Sequence, residues 1–227
     1  IPEFDLGSLT FFANFAGILT ALKNSVLVAG LTMIMSITIG APAGYALSRF
    51  EFRGKELFRL LVLLTRAFPL PLLALPLAVM FIRVGIDDTV FGLALVHTTL
   101  AIPFAVLITF SLFSGIPIEL EEAAWTLGCN RLTAFQKVSL PLVLPGITAS
   151  AIFAFVISWN EVCAAAVRTI ENRTLPAFLL QTLGEAPLHL KFAGGFILVV
   201  PADLHLRRAH ISLRHVGHRQ PLIAVVR

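Results

Sequence analysis

The sequence has little charge, little cysteine and none of the common catalytic motifs. Charged residues form 13% of the chain, about half the share found in soluble domains, and two cysteines cannot build a disulfide framework. A glycine-rich phosphate loop with its lysine, a helical pair of metal ligands and a nucleophile elbow are all missing. We therefore expect neither catalysis nor a metal or cofactor bound by this chain.

Hydrophobic residues dominate the composition instead. They make up 57% of the sequence, which is more than a soluble fold of this length can bury. The net charge of +4 could suggest nucleic acid, but the basic residues form no patch interleaved with aromatic residues. Their placement follows membrane sidedness, so we expect a lipid bilayer, and no nucleic acid, as a partner.

Long apolar runs predict an all-α fold, a polytopic bundle of transmembrane helices. Residues 24–47, 57–82, 90–113 and 142–167 each exceed the roughly 20 residues that cross a bilayer as a helix. A fifth run starts near residue 192 and fades after residue 202. The sequence therefore contains about five candidate spans.

Basic residues between the first two runs set the orientation of the bundle. They are Arg49, Arg53, Lys55 and Arg59. The next connector carries one arginine against two aspartates, so the positive-inside rule places the first connector in the cytoplasm. Alternation then puts residues 83–89 outside, 115–141 inside and 168–191 outside.

A polar stretch between the third and fourth runs carries the most specific pattern. Its fixed positions are Glu122, Ala123, Ala124, Gly128, Val138, Leu140 and Pro141. We predict a short helix over 119–127 that ends in a left-handed residue at Gly128, and a second helical turn over 131–138. The small alanines would let another protein approach closely, and the carboxylates of Glu119, Glu121 and Glu122 would offer it charged contacts. The alternative is an amphipathic connector that lies on the membrane surface.

This pattern resembles the cytoplasmic coupling loop of bacterial ABC importer permeases. The resemblance implies that the loop at 115–141 docks on an ATPase subunit, which binds ATP and magnesium in place of this chain. The ATPase-coupling residues would be Glu119, Glu121, Glu122, Ala123, Ala124, Gly128, Leu140 and Pro141. It also implies six transmembrane helices, of which about five are present, in the bacterial cytoplasmic (inner) membrane.

Other segments resemble the carbohydrate branch of this family, and in particular the maltose-type second permease subunit. They are Trp159-Asn160-Glu161, Thr174-Leu175-Pro176, residues 85–93 and Pro103-Phe104. The resemblance implies a sugar pathway shared with a second, different permease subunit, and an extracytoplasmic substrate-binding protein that delivers the sugar. Two alternatives stay open: an oxyanion importer of the molybdate or sulfate type, and a channel or scaffold that is not coupled to ATP.

Polar residues inside the apolar runs are candidates for the substrate pathway. They are Arg66, His97, Trp159, Asn160 and Glu161. Each has an alternative role, because the arginine can snorkel to the headgroups, the histidine can bind a neighbouring helix, and the last three can fix helix packing.

Prolines, which interrupt helices, are frequent in the same apolar runs. The prolines are Pro69, Pro71, Pro76, Pro103 and Pro145. Interrupted helices at membrane depth favour a bundle that lines a pathway over a simple anchor. Gly40 and Gly44 lie at a spacing that favours close helix packing.

The two ends of the chain differ from its middle. Residues 1–23 predict an extracytoplasmic or interfacial segment before the transmembrane domain at 24–202, and we expect a further helix before Ile1. Residues 203–227 are rich in arginine and histidine. They predict either a basic tail at the lipid headgroups or a stretch that is not the native continuation, such as a shifted reading frame; the histidine spacings fit no compact metal site.

Overall fold

The computed structural model describes residues 15–67, 69–168, 171–184 and 190–199. Every regular element in these ranges is helical, which confirms the all-α prediction. The helices are α1 (Ile18–Arg49), α2 (Lys55–Leu64), α3 (Leu70–Val84), α4 (Val90–Ser114), α5 (Glu119–Thr126), α6 (Arg131–Ala134), α7 (Leu140–Asn160), α8 (Cys163–Arg168), α9 (Leu175–Thr182) and α10 (Leu190–Val199). A 3₁₀ turn, Thr65–Ala67, follows α2, and a π-helical segment, Phe135–Ser139, joins α6 to α7.

Three described helices are long and apolar enough to cross a membrane: α1, α4 and the continuous stretch Arg131–Asn160, which contains α7. They coincide with the first, third and fourth predicted spans. The second predicted span, 57–82, is divided between α2 and α3, and α10 in the fifth run is a short apolar helix. The predicted count of five spans is therefore not confirmed in the described part of the chain.

A proline explains why the second span is divided. Pro69 has an extended backbone (φ −65°, ψ 124°) directly before α3, and Pro71 lies in the first turn of that helix. Proline has no N–H to donate to a helix, so the helical hydrogen bonds of α2 and its 3₁₀ turn do not continue through Pro69. By contrast, Pro76 and Pro103 were predicted to interrupt their helices but lie inside continuous ones. Pro145, predicted to open the fourth span, also lies inside a continuous helix.

The first helix begins earlier than the sequence predicted. Gly17, with φ +92°, precedes α1, and the helix starts at Ile18, so residues 18–23 belong to it and not to an extracytoplasmic segment. Lys23 is exposed on the helix surface, which is why its charge does not end the helix. Residues 1–14 and the basic tail at 203–227 lie outside the described residues.

Glycines allow α1 and α4 to pack closely. A Cβ atom added to Gly40 would lie 2.6 Å from the Ala105 Cβ, and one added to Gly44 would lie 2.6 Å from the Phe110 backbone nitrogen. The Thr109 hydroxyl in turn lies 2.9 Å from the Gly40 carbonyl oxygen, within hydrogen-bond distance. The predicted role of the two glycines in helix packing is confirmed, since any side chain would push the two backbones apart.

Contacts between connectors define two opposite ends of the bundle. At one end, which we call the Asp88 end, the Asp88 carboxylate accepts hydrogen bonds from the backbone N–H groups of Glu171 (3.0 Å) and Asn172 (3.2 Å). At the other, the Glu121 end, Arg49 after the first span contacts Glu121 in the 115–141 loop. Connectors therefore pair as the predicted alternation across the membrane requires.

Candidate coupling loop and membrane pathway

Helix α5 of the candidate coupling loop begins at the predicted residue, Glu119, and ends at Thr126, one residue before the predicted end. Three glutamates lie in its first turn, where the helix dipole favours negative charge. After Thr126 the chain turns through Gly128 at φ +88°. The N–H of Gly128 donates to the Trp125 carbonyl (2.9 Å) and that of Cys129 to the Ala124 carbonyl (3.0 Å), the two bonds of a Schellman motif. This C-terminal cap ends α5 and turns the chain sharply into α6.

The second helical turn of the loop starts from a side-chain cap. The Asn130 side chain accepts a hydrogen bond from the Thr133 N–H (2.8 Å) at the start of α6. The helix then runs through the π-helical segment into α7, where Leu140 is half-buried and Pro141 is exposed. The predicted turn over 131–138 is thus the first part of a longer helix that enters the membrane bundle.

The two faces of α5 differ in exposure. Its buried residues are Glu121 and Ala124, one helical turn apart. The opposite face is open: Glu119, Glu122 and Ala123 are exposed. The apolar side chain of Leu127, at the end of this face, is 85% exposed. Such an apolar surface on a loop outside the membrane spans is a typical site of protein contact.

Glu121 is the centre of a buried polar network. Its Oε1 accepts hydrogen bonds from Arg49 Nε (2.7 Å) and Ser139 Oγ (2.6 Å), and its Oε2 accepts one from the Tyr45 hydroxyl (2.6 Å). The Glu121 and Arg49 side chains are 1% and 7% exposed. Arg49 also donates to the Ile116 carbonyl oxygen (3.1 Å). The network therefore joins α1, α5 and the start of α7.

The network holds Glu121 in its charged form. Burial alone would raise the pKa of this carboxyl, but the hydrogen bonds from Ser139, Tyr45 and Arg49, together with the arginine charge, outweigh burial and hold the pKa below its usual range. The carboxylate is thus an ionised group that accepts three hydrogen bonds from its own chain.

This geometry corrects one part of the predicted coupling site. Glu121 was expected to offer its carboxylate to a partner protein, but it faces inward because the Arg49 and Ser139 donors lie on that side. Sequence reasoning missed the hydrogen-bond partners of Glu121, which are Tyr45, Arg49 and Ser139. The first two lie 76 and 72 residues before Glu121 in the sequence. One signal was available: Glu121 and Ala124 share a helix face that excludes Glu122 and Ala123.

Two pathway candidates are buried in this structure. His97 is fully buried; its Nδ1 lies 2.7 Å from Ser158 Oγ and its Nε2 lies 4.0 Å from Glu161 Oε2. Trp159 is also buried, stacks on Phe155 and donates its indole N–H to the Leu198 carbonyl (3.0 Å). The predicted contact of these two side chains with substrate is therefore not supported, and their alternative role in helix packing is observed.

The other candidates are more accessible. Arg66 is exposed in the 3₁₀ turn, with its guanidinium carbon 3.6 Å from the centroid of the Phe104 ring on α4. Asn160 is exposed at the end of α7. Glu161, half-buried, follows with extended backbone and accepts the Ala164 N–H (3.0 Å). The helix thus ends before Glu161, within the fourth predicted span, and the structure brings His97 beside this residue.

Comparison with known proteins adds to this geometry. The family described as "Binding-protein-dependent transport system inner membrane component" matches residues 36–201. The chain is 34% identical over 186 residues to a putative ABC transporter permease protein, ORF1, of Streptomyces antibioticus, covering 80% of this chain and 81% of the relative. It is 34% identical over 206 residues to the trehalose transport system permease protein SugB of Mycobacterium tuberculosis, covering 86% of this chain and 75% of the relative.

The fold has a match among solved structures as well. A chain of a bacterial ABC transporter involved in the import of the acidic polysaccharide alginate superposes with a TM-score of 0.68 at 21% identity, covering 97% of this chain and 81% of that chain. Sequence profile, relatives and fold agree. This chain is a member of the binding-protein-dependent transport system inner membrane component family, the permeases of ABC transporters.

Proposed function

We propose that this permease imports a carbohydrate and forms its pathway together with a second, different permease subunit. Support for the sugar comes from the relative named for trehalose transport and from the segments that resemble the carbohydrate branch, among them Trp159 to Glu161 and Thr174 to Pro176. ATP and magnesium are bound and ATP is hydrolysed on a partner ATPase subunit. A substrate-binding protein delivers the sugar at the Asp88 end.

The observation that carries the ATPase contact is the open face of the coupling loop. Leu127 and Leu132 are 85% and 63% exposed, and Ala123 presents a small side chain between exposed carboxylates. A groove on an ATPase subunit would cover the leucines and contribute basic groups to Glu119 and Glu122. Closure of the ATPase pair on ATP would then displace α5 and change which face of the membrane the pathway opens to.

Blocking this face tests the docking. The chain is coexpressed with its second permease and ATPase subunits, and Ala123→Arg is compared with Ala16→Arg, an exposed alanine beside the opposite end of α1. We expect Ala123→Arg to lose the ATPase during purification, because the long side chain fills the space that a close contact needs. Equal ATPase retention in both variants would contradict the proposal.

Uptake by the reconstituted complex tests the substrate. Proteoliposomes loaded with ATP and supplied with the cognate binding protein are offered labelled trehalose, maltose and molybdate in parallel. We expect ATP-dependent uptake of a sugar. Uptake of molybdate alone would favour the oxyanion importer, and sugar flux that is independent of ATP would favour a channel.

We further propose that Arg66, Asn160 and Glu161 face the pathway. Phe104, on which Arg66 rests, lies ten residues before the end of α4, about 15 Å along the helix and so near the middle of the bilayer. A charged guanidinium at that depth is unfavourable against lipid and is expected to face water or protein.

A further inference from the structure

We infer that Glu121 is the positioning residue that fixes the coupling helix to the membrane helices, so that α5 moves together with the ends of α1 and α7. This inference rests on the proposed docking of the ATPase on the same loop. It assigns Glu121, and its donors Tyr45, Arg49 and Ser139, a role inside the chain that is distinct from contact with the partner.

The first argument is that the three donors come from two different membrane helices. Tyr45 and Arg49 lie in the last turns of α1, and Ser139 lies directly before α7. All three side chains converge on one carboxylate at 2.6 to 2.7 Å. Short hydrogen bonds to an ionised group are about twice as strong as neutral ones. A displacement of α5 relative to either helix would therefore break at least one strong bond.

The second argument is that the polar network rests on packed aromatic rings. The Tyr45 ring lies 5.3 Å from the Phe113 ring at the end of α4 and 4.5 Å from the Phe135 ring before α7. Phe113 belongs to a buried cluster with Ala41, Val143 and others. The core thus holds the donors to Glu121 in place, and a displacement of Glu121 is transmitted to all three long helices.

The third argument is that Glu121 makes the directional contacts of α5 with the membrane helices, since the half-buried Trp125 lies against Arg131 of the same loop (4.9 Å from the guanidinium carbon to the ring centroid). Of its eight residues, only Glu121 and Ala124 are buried. Ala124 supplies a single methyl group, which has no directional contact to resist sliding. Because the outward face of the helix is the one that the ATPase would push, Glu121 is the side chain through which the push reaches the membrane domain.

The decisive variant is Glu121→Gln in the complete transporter. Glutamine keeps the size of the side chain, removes its charge and leaves the docking face unaltered. We expect the ATPase to copurify normally, while the number of ATP molecules hydrolysed per substrate molecule transported rises at least threefold. Glu56→Gln is the matched control, since Glu56 is an exposed carboxylate that pairs with Arg59 on α2, outside the loop; its ratio should equal that of the unmodified complex.

Two milder variants keep the test decisive if Glu121→Gln does not fold. Tyr45→Phe and Ser139→Ala each remove one hydrogen bond to the carboxylate and retain the ion pair with Arg49. Each should raise the number of ATP molecules hydrolysed per substrate molecule transported by a smaller factor than Glu121→Gln does. Adding Arg49→Gln to Glu121→Gln should change the number of ATP molecules hydrolysed per substrate molecule little further, because both substitutions disable the same connection.

A distance measurement separates positioning from a general effect on the fold. Spin labels are placed at Thr126, on the exposed end of α5, and at Arg53, after α1, with the free cysteines Cys129 and Cys163 replaced by serine. In the intact network the distance distribution should stay narrow with and without ATP. In Glu121→Gln it should broaden.

The outcomes distinguish this inference from the proposed function. If the unmodified complex does not retain the ATPase, the proposed docking fails. If it does, an unchanged ratio and an unchanged distance distribution in Glu121→Gln overturn the positioning role. Loss of the ATPase from Glu121→Gln also overturns it, because Glu121 would then act in docking.

Discussion

Replacing Gly44 by alanine should weaken the α1–α4 contact, and the structure gives the size of the effect. The new Cβ would lie 2.6 Å from the Phe110 nitrogen and 2.9 Å from the Thr109 carbonyl carbon. Both are backbone atoms, which cannot rotate away, so the helices must separate by roughly 0.8 Å to restore an ordinary contact. Overpacking of this kind costs about 1–3 kcal/mol, and we expect the upper end.

A second glycine on the same helix provides the control. A Cβ added to Gly30 has nothing within 4 Å, so Gly30→Ala carries no steric penalty and gains about 1 kcal/mol from helix propensity. The same gain offsets part of the loss in Gly44→Ala, which leaves a net destabilisation of about 2 kcal/mol. The two alanine variants should thus differ by about 3 kcal/mol in free energy of unfolding.

Unfolding of the purified chain in detergent, titrated with SDS and followed by circular dichroism, measures this difference. Gly40→Ala, which meets the Ala105 Cβ at 2.6 Å and its carbonyl carbon at 3.0 Å, should fall between the other two variants. If Gly44→Ala and Gly30→Ala unfolded at the same SDS fraction, the argument that backbone contact holds α1 against α4 would be refuted.

Three further predictions concern the loop and the pathway. Gly128→Val should reduce transport and ATPase coupling, since a β-branched residue is strained at φ +88°, whereas Gly128→Asn, which tolerates this region, should retain most of both; equal activities would show that the turn is not needed. The unmodified protein should be more thermally stable than Glu121→Gln above the ordinary glutamate pKa of 4.5, and this difference should disappear as the pH falls through the lowered native pKa of Glu121. Melting curves from pH 7 to about pH 3 would contradict this if the difference in melting temperature between the two proteins stayed constant. Arg66→Gln should lower sugar uptake at least several-fold while the ATPase still copurifies, and unchanged uptake would place Arg66 against lipid or a partner subunit.

Local patterns in the sequence predicted the elements whose causes are local. The end of α5 follows from a left-handed glycine at position 128, and the contact between α1 and α4 follows from Gly40 and Gly44, whose spacing alone indicates it. The apolar runs located the three long helices because a run of that length has few other uses. The coupling pattern also identified the family, which the profile match then confirmed.

Features that depend on contacts between distant residues could not be predicted in this way. Nothing local to Glu121 indicates that Tyr45 and Arg49 will meet it, although its spacing from Ala124 indicates that the two residues share a face of α5. For His97 and Trp159 the sequence left a pathway role and a packing role open for the same reason, because a polar residue in an apolar run reveals its depth but not the direction in which it points. Pro69 and Pro76 look alike in sequence, yet only the first divides its span.

The helix α2 has a consequence for anyone who mutates this protein. None of its side chains is buried within the described chain, although six of them are leucine or phenylalanine with about half of their surface exposed. The described residues leave these apolar side chains open to contact with lipid or with a neighbouring subunit. Substitutions of these six apolar side chains will therefore weaken contacts with neighbours in the assembly, and a chain that carries them can fold normally while the transporter fails to assemble.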